Sequence, residues 1–167
     1  MKTRLAAMGV ALLFACAGSA YAKKKTSKAT SAPVAKADIA AKSGSNLKGT
    51  ATFTSNGKGG LILRVDVAGV APGVHAVHIH EKGDCSSPDG KSAGDHWNPT
   101  HMEHGKWGAS GEHFHLGDIG NLTVAADGKG TVTLETDKWT AGTGAINDVI
   151  GHSIVVHGGV DDFKSQP

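Results

Sequence analysis

Short runs of alternating apolar and polar residues fill most of the chain after about residue 45, and glycine-rich turns separate them. Alternation with a period of two places the apolar side chains on one face of an extended segment, which is typical of half-buried β-strands. No run has the 3.6-residue periodicity of an amphipathic helix. Asp127-Gly128, between two runs, favours a tight hairpin turn. The pattern predicts strands over residues 46–55, 61–69, 75–80, 121–126, 131–136 and 152–157.

This spacing of short strands predicts an all-β fold, an antiparallel sandwich or barrel in a single domain. One long segment interrupts the pattern, because residues 81–117 contain Gly, Pro, Asp, Ser and His with little periodicity. Loops of this length inside a compact domain are usually functional or disordered. Since this loop is rich in histidine, we interpret it as functional.

The first 22 residues have the pattern of a secretory signal peptide. They combine a basic start, an apolar core and an Ala-Tyr-Ala end that fits a cleavage site. An alternative is a lipoprotein box over residues 13–16, which would attach lipid at Cys16, although Phe14 fits that motif poorly. Either interpretation predicts an exported, periplasmic protein without a transmembrane segment.

The charge of the chain is unevenly distributed. Residues 23–36 are rich in lysine, serine, alanine and threonine, and they are predicted to form a disordered basic tail. The folded domain is predicted over residues 37–167, where 10 basic and 15 acidic side chains leave a formal charge of −5. A nucleic-acid partner would require a basic face, so this composition argues against one.

Histidines carry the candidate chemistry, and all ten lie outside the basic tail. His78 and His80 alternate with Val77 and Ile79 in a predicted strand. The two apolar side chains would therefore face the core while the two imidazoles share the opposite face, about 7 Å apart along the strand. His157 ends another predicted strand in the same manner.

The long loop and the residues after it add a second set of candidate ligands. His96, His104, His115 and Asp118 follow one another with the spacing H-x7-H-x10-H-x2-D. Imidazole and carboxylate groups are the ligands that borderline metal ions prefer. A single histidine is usually a surface residue or a hydrogen-bonded core residue, but this combination predicts a metal centre.

Four segments together resemble the copper–zinc superoxide dismutases in their bacterial exported form. They are HAVHIHEKGDC (75–85), SAGDHWNP (92–99), HFHLGDIGNLT (113–123) and GHSIVVHGGVDD (151–162), and they occur in the family's order. The resemblance covers about residues 37–167. It implies a Greek-key β-barrel of eight strands and the conversion of superoxide to O₂ and H₂O₂ by a copper ion that alternates between Cu(II) and Cu(I).

The resemblance also implies a role for each candidate ligand. His96 would bridge a copper ion and a zinc ion and would carry the catalytic proton. Asp161 would link a copper ligand to a zinc ligand. His113 competes with His115 for one position, and the family's H-x-G-D motif selects His115. The implied copper ligands are His78, His80, His96 and His157, and the implied zinc ligands are His96, His104, His115 and Asp118.

Cys85 is where the chain departs from the family. The family pairs this cysteine with one in its last strand, but the only other cysteine in the sequence is Cys16. The sequence stops at Pro167, before the family's last strand, its anion-guiding arginine and that cysteine. We therefore expect a barrel truncated by its last strand, with Cys85 as a free thiol or in a disulfide between two molecules.

Two functions remain open besides that of an active enzyme with superoxide as its substrate. The chain could be a protein that binds copper and zinc without turnover, or an inactive truncated fragment of such an enzyme. The missing end of the barrel is the reason for keeping both. A homodimer is the oligomer that the family resemblance leaves open.

Overall fold

Seven β-strands form the molecule in the computed structural model, which describes residues 32–111 and 113–166. A single 3-10 turn, Lys91–Ala93, is the only helical element in those two ranges. No helix in the described part of the chain is long and apolar enough to cross a membrane. The strands are β1 (Pro33–Ile39), β2 (Lys48–Ser55), β3 (Leu61–Ala68), β4 (Gly73–His80), β5 (Asp118–Val124), β6 (Gly130–Thr136) and β7 (Ser153–Val156).

All strand pairs are antiparallel, and the sheet has the order β1-β2-β3-β6-β5-β4-β7. The chain therefore crosses over twice, from β3 to β4 and from β6 to β7. The two edge strands, β1 and β7, approach each other, so the sheet curls into a nearly closed barrel. This architecture confirms the predicted all-β fold, and the six strands predicted from the sequence all form, with ends shifted by up to three residues.

Strand β1 differs from the sequence prediction, which placed the disordered tail at residues 23–36. The strand begins at Pro33, so residues 33–36 belong to the barrel. Ala35, Ala37 and Ile39 are partly buried against the core, while backbone pairing with β2 holds the strand in register. Two alanines give little hydrophobic signal, which is why the alternation went undetected. The predicted signal peptide and the tail as far as residue 31 lie outside the described residues.

The core fills the inside of the barrel with one face of each strand. Strand β4 places Val77 and Ile79 in this core, as its alternation predicted. Trp139 closes the core at one end, where its ring is fully buried and packs edge-on against Phe53 at 5.8 Å between ring centroids. The indole Nε1 donates a hydrogen bond to the carbonyl of Leu116, which fastens the end of the long loop to the barrel.

The long loop of residues 81–117 is joined to strand β4 by a small set of backbone hydrogen bonds. The Ile79 carbonyl accepts a bond from the Trp97 N–H, and the Ile79 N–H donates to the Gly117 carbonyl. The Gly117 N–H in turn donates to Trp97. An isolated bridge pairs His80 with His96. The loop is thus held along the edge of the strand that carries two candidate ligands.

Gly117 should tolerate no side chain, because a Cβ atom there would collide with the Ile79 carbonyl oxygen and crowd the Trp97 backbone. We expect Gly117→Ala to lower the free energy of unfolding by about 1–3 kcal/mol, the usual cost of overpacking. Gly159→Ala is the matched control, since its added methyl group meets no atom within 4 Å. Urea denaturation of both variants measures the difference, and equal stabilities would show that the loop does not depend on this close approach.

Candidate metal centre

Strand β4 directs His78 and His80 to the outer face of the barrel, opposite Val77 and Ile79. This is the arrangement that the sequence predicts. The strand pairs with β7, so His157 follows the last residues of β7 on the same side. Strand β4 therefore supplies two imidazoles, and the residue after the neighbouring edge strand β7 supplies a third.

These three imidazoles meet His96, which the long loop brings to them. The ligand atoms of the four histidines all lie within 4.8 Å of one another. The Nε2 atoms of His80 and His157 are 3.3 Å apart, and the rings of His78 and His96 are 3.9 Å apart between centroids. The other ring nitrogen of His80 lies 2.8 Å from the Gly94 carbonyl, which leaves Nε2 facing the cluster.

A second cluster shares His96 and surrounds the carboxylate of Asp118. Its four ligand atoms also lie within 4.8 Å of one another. The carboxylate oxygens of Asp118 lie 3.2 Å from Nδ1 of His96, 2.9 Å from Nδ1 of His104 and 3.3 Å from Nδ1 of His115. Since Nδ1 of His96 faces this cluster, its Nε2 is left for the first one.

Asp118 is completely buried, so its charge needs compensation from its surroundings. Its Oδ2 atom accepts hydrogen bonds from the backbone N–H groups of Gly105 and His115. Burial raises the pKa of Asp118, but the rings of His115 and His96 and these two backbone donors lower it more, and the net pKa lies well below the usual range. The carboxylate is therefore ionised, which is the form that binds a cation.

Two imidazoles of the first cluster, those of His78 and His157, are held neutral. Burial and the adjacent His96 ring lower the pKa of His78 to about 4. Burial and the neighbouring imidazoles lower the pKa of His157 to about 3. Only a neutral imidazole has a free lone pair for a metal ion, so both residues are ready to bind one at neutral pH.

Asp161 connects the two clusters by contacting one histidine of each. Its two carboxylate oxygens lie 2.8 Å from Nε2 of His78 and 2.8 Å from Nε2 of His104. Burial lowers the pKa of His104, but the bond to Asp161 and the charge of Asp118 raise it more. Asn121 fixes the Asp161 backbone with two hydrogen bonds. Its side-chain NH2 group donates to the Asp161 carbonyl, and its side-chain oxygen accepts from the Asp161 N–H. A carboxylate in this position sets the orientation of both rings.

The structure gives a direct test of whether metal ions fit these clusters. The buried Nδ1 atom of His78 makes no hydrogen bond, and the buried Nδ1 atoms of His104 and His115 lie 2.9 and 3.3 Å from the Asp118 carboxylate without hydrogen-bond geometry. Buried polar atoms are rarely left unpaired, so each one needs a partner. A cation at the centre of each cluster would supply it, and a set of imidazoles with one carboxylate suits zinc and copper. The residues present therefore fit both ions.

The structure places every residue proposed as a ligand in one of these two clusters. His113, the competitor of His115, is exposed. His75 was assigned no role, yet its ring is buried and its Nδ1 lies 3.0 Å from the carbonyl of His157, with Nε2 2.8 Å from the Ala71 carbonyl. The signal for His75 was its position on the core face of β4, where a polar residue needs a partner. Asn121 gave no comparable signal.

Cys85 is exposed and has no disulfide partner among the described residues. It lies in the wall of a groove of about 660 Å³ that β1 and β7 share, together with the apolar side chains of Ile39 and Ile154. Cys16 lies outside the described residues. The exposed thiol agrees with one of the two states expected for Cys85.

Comparison with known proteins identifies the family. The family model of copper/zinc superoxide dismutase matches residues 47–167, well over half of the chain. The chain belongs to the copper/zinc superoxide dismutase family. A relative named "Superoxide dismutase [Cu-Zn]" from Caulobacter vibrioides is 41% identical over 113 residues, which are 65% of this chain and 64% of that protein. The match thus spans slightly less than two thirds of the relative's length.

Solved structures show the same fold. A superoxide dismutase-like protein from Bacillus subtilis aligns with a TM-score of 0.63 at 31% identity, covering 71% of this chain and 80% of its own. The clock protein EA4 aligns with a TM-score of 0.62 at 31% identity, covering 70% of this chain and 71% of its own. The family takes copper and zinc, and the two histidine clusters are able to hold them.

Each cluster contains ligands of its own, so single substitutions should separate the two ions. We expect His157→Ala to lower copper affinity by more than about 100-fold and to leave zinc bound, because even partners outside the ligand shell change affinity by about 10- to 100-fold. Asp118→Ala should lower zinc affinity first. Elemental analysis after dialysis against each ion measures both effects. Equal loss of both ions from both variants would contradict separate sites.

Proposed function

We propose that the protein is an exported copper–zinc superoxide dismutase that converts two superoxide anions and two protons into O₂ and H₂O₂. The observation that carries the proposal is the position of His96, whose two ring nitrogens face two different clusters. A site that only stores metal has no need of an imidazole shared between two ions. The first cluster is proposed to hold copper through four histidines, and the second to hold zinc through three histidines and Asp118.

The bound copper would supply one-electron redox chemistry, and the bound zinc would supply a fixed positive charge next to His96. An imidazole shared by two cations must be an imidazolate, since both of its lone pairs are then in use. Each turnover takes up two protons from solvent; we assign one of them to Nε2 of His96, which would deliver it to the reduced substrate, while the other would come directly from solvent. Nδ1 stays on the side of Asp118, which keeps the ring in place during the transfer.

The other residues restrict where the anion can reach the site. His78, His80 and His96 are buried, with 4–8% of their surface exposed, whereas His157 is only partly buried. Superoxide would therefore approach past His157, the most open side of the first cluster. Asp161 would hold the rings of His78 and His104 still, so that the geometry around the redox ion changes little between its two states.

The domain limits and location are part of the same proposal. Residues 1–22 would act as a signal peptide and the folded domain would work in the periplasm, where copper and oxidising conditions are available. The relative from Caulobacter vibrioides is a bacterial copper–zinc enzyme, which supports this location. Superoxide would be the small-molecule substrate.

Superoxide consumption after loading with both ions tests the activity. We expect the protein loaded with copper and zinc to consume superoxide catalytically, and the protein loaded with zinc alone to be inactive. His101→Asn is the matched control, since His101 is an exposed histidine of the long loop with a positive φ of 54° that asparagine also adopts. Tight binding of both ions without turnover would instead identify a metal-binding protein. Failure to bind either ion would identify an inactive fragment.

Asp161→Asn should show whether the link between the clusters matters. Each imidazole contacts a different carboxylate oxygen of Asp161, and the amide replaces one of these oxygens with an NH2 donor, so one of the two imidazoles loses its acceptor. We expect the affinity for copper, zinc or both to fall by about 10- to 100-fold, as for other outer partners of metal ligands. Competition with a chelator at fixed pH measures this, and unchanged affinities for both ions would show that Asp161 has no positioning role.

A further inference from the structure

His152 lies in the loop directly before β7 and contacts two separate parts of the long loop. Its ring packs on the ring of Trp97 at 4.5 Å between centroids, with 33° between the planes. Its Nδ1 atom lies 2.8 Å from the carbonyl oxygen of Glu81, which can only accept a hydrogen bond. His152 therefore donates from Nδ1 to Glu81 while it covers one face of the indole of Trp97.

The two contacts fall on the residues that follow two ligands of the first cluster. Glu81 comes directly after His80, and Trp97 comes directly after His96. The same two segments already pair with each other through the bridge between His80 and His96 and through the bond from the Glu81 N–H to the Asp95 carbonyl. His152 thus contacts both segments of this pair.

The backbone around His152 shows that this contact is close. A Cβ atom at Gly83 would lie 2.9 Å from the carbonyl oxygen of Gly151, so the turn after Glu81 must approach the loop before β7 without a side chain. Trp97 is itself buried, with 4% of its surface exposed, and belongs to the hydrophobic core. A residue fixed on Trp97 and Glu81 is consequently fixed relative to the barrel.

We propose that His152 is a positioning residue that sets the distance between the imidazoles of His80 and His96. It touches neither the substrate nor a metal ion, and it acts through Trp97 and Glu81. The segments that it holds carry two of the four ligands of the first cluster, His80 and His96. They carry only one ligand of the second cluster, His96. Loss of His152 should therefore disturb copper more than zinc. This inference rests on the proposed function for the identity of the ions, but not for the contacts themselves.

Three variants separate the two contacts. His152→Phe keeps a ring on Trp97 and removes the donor to Glu81, His152→Asn keeps an amide donor and removes the ring, and His152→Ala removes both. We expect His152→Ala to lower copper affinity by about threefold to tenfold, which is the factor that one ordinary hydrogen bond represents. The two single-contact variants should fall between it and the native protein, with zinc affinity changed less. His101→Asn again serves as the control.

Two readouts distinguish positioning from general stability. The Cu(II) electron paramagnetic resonance spectrum reports the ligand geometry, and we expect its hyperfine splitting to change in His152→Ala but not in the control. Amide hydrogen exchange in the metal-free protein reports the contacts directly, and the N–H groups of Glu81 and Trp97, both hydrogen-bonded within the pair, should exchange faster in His152→Ala.

The outcomes separate this inference from the proposed function. Faster exchange together with a changed copper spectrum supports the positioning role. Unchanged exchange in His152→Ala overturns it, whatever the metal content. If the native protein binds copper, an unchanged copper spectrum together with an unchanged copper affinity in His152→Ala also overturns it. If the native protein binds no copper while exchange responds to His152, then the proposed function fails and the positioning of these segments stands.

Discussion

The buried negative charge of Asp118 is the constraint on which the rest of the site depends. A carboxylate without water must be surrounded by donors or cations, and the chain provides two backbone N–H groups and three imidazoles for it. All five of those partners come from the long loop. The loop therefore has one arrangement in which this charge is compensated, and that arrangement also brings His96 to the three imidazoles of the barrel.

The barrel and the long loop therefore supply different ligands and position them in different ways. Strand β4 and the residue after β7 give three imidazoles whose spacing is set by the sheet register, which the core makes rigid. The loop contributes the ligands that must be placed by hydrogen bonds instead, through Gly117, Trp97 and the carbonyl of Gly94. Asp161 then couples one ring from the barrel to one ring from the loop. Neither part has a complete site without the other.

The sequence predicts this centre better than it predicts the edge of the barrel. Alternation in β4 placed His78 and His80 on one face, because the period of two is a property of any extended segment. Strand β1 was missed because Ala35 and Ala37 add little to a hydrophobic pattern, and the partner strand supplies what holds them. The contacts of His75 and His152 were also invisible in the sequence. Their partners are backbone carbonyls and an indole that are brought near only by the folded sheet.

All three tryptophans of the chain lie where the long loop meets the barrel. Trp97 is stacked on His152, and Trp107 packs against Trp139 at 5.1 Å between ring centroids. Trp139 in turn holds the end of the loop through Leu116. The tryptophan fluorescence of the protein therefore comes entirely from this contact. Its emission records the docking of the loop on the barrel, so the protein carries its own optical probe for the event that completes the metal centre.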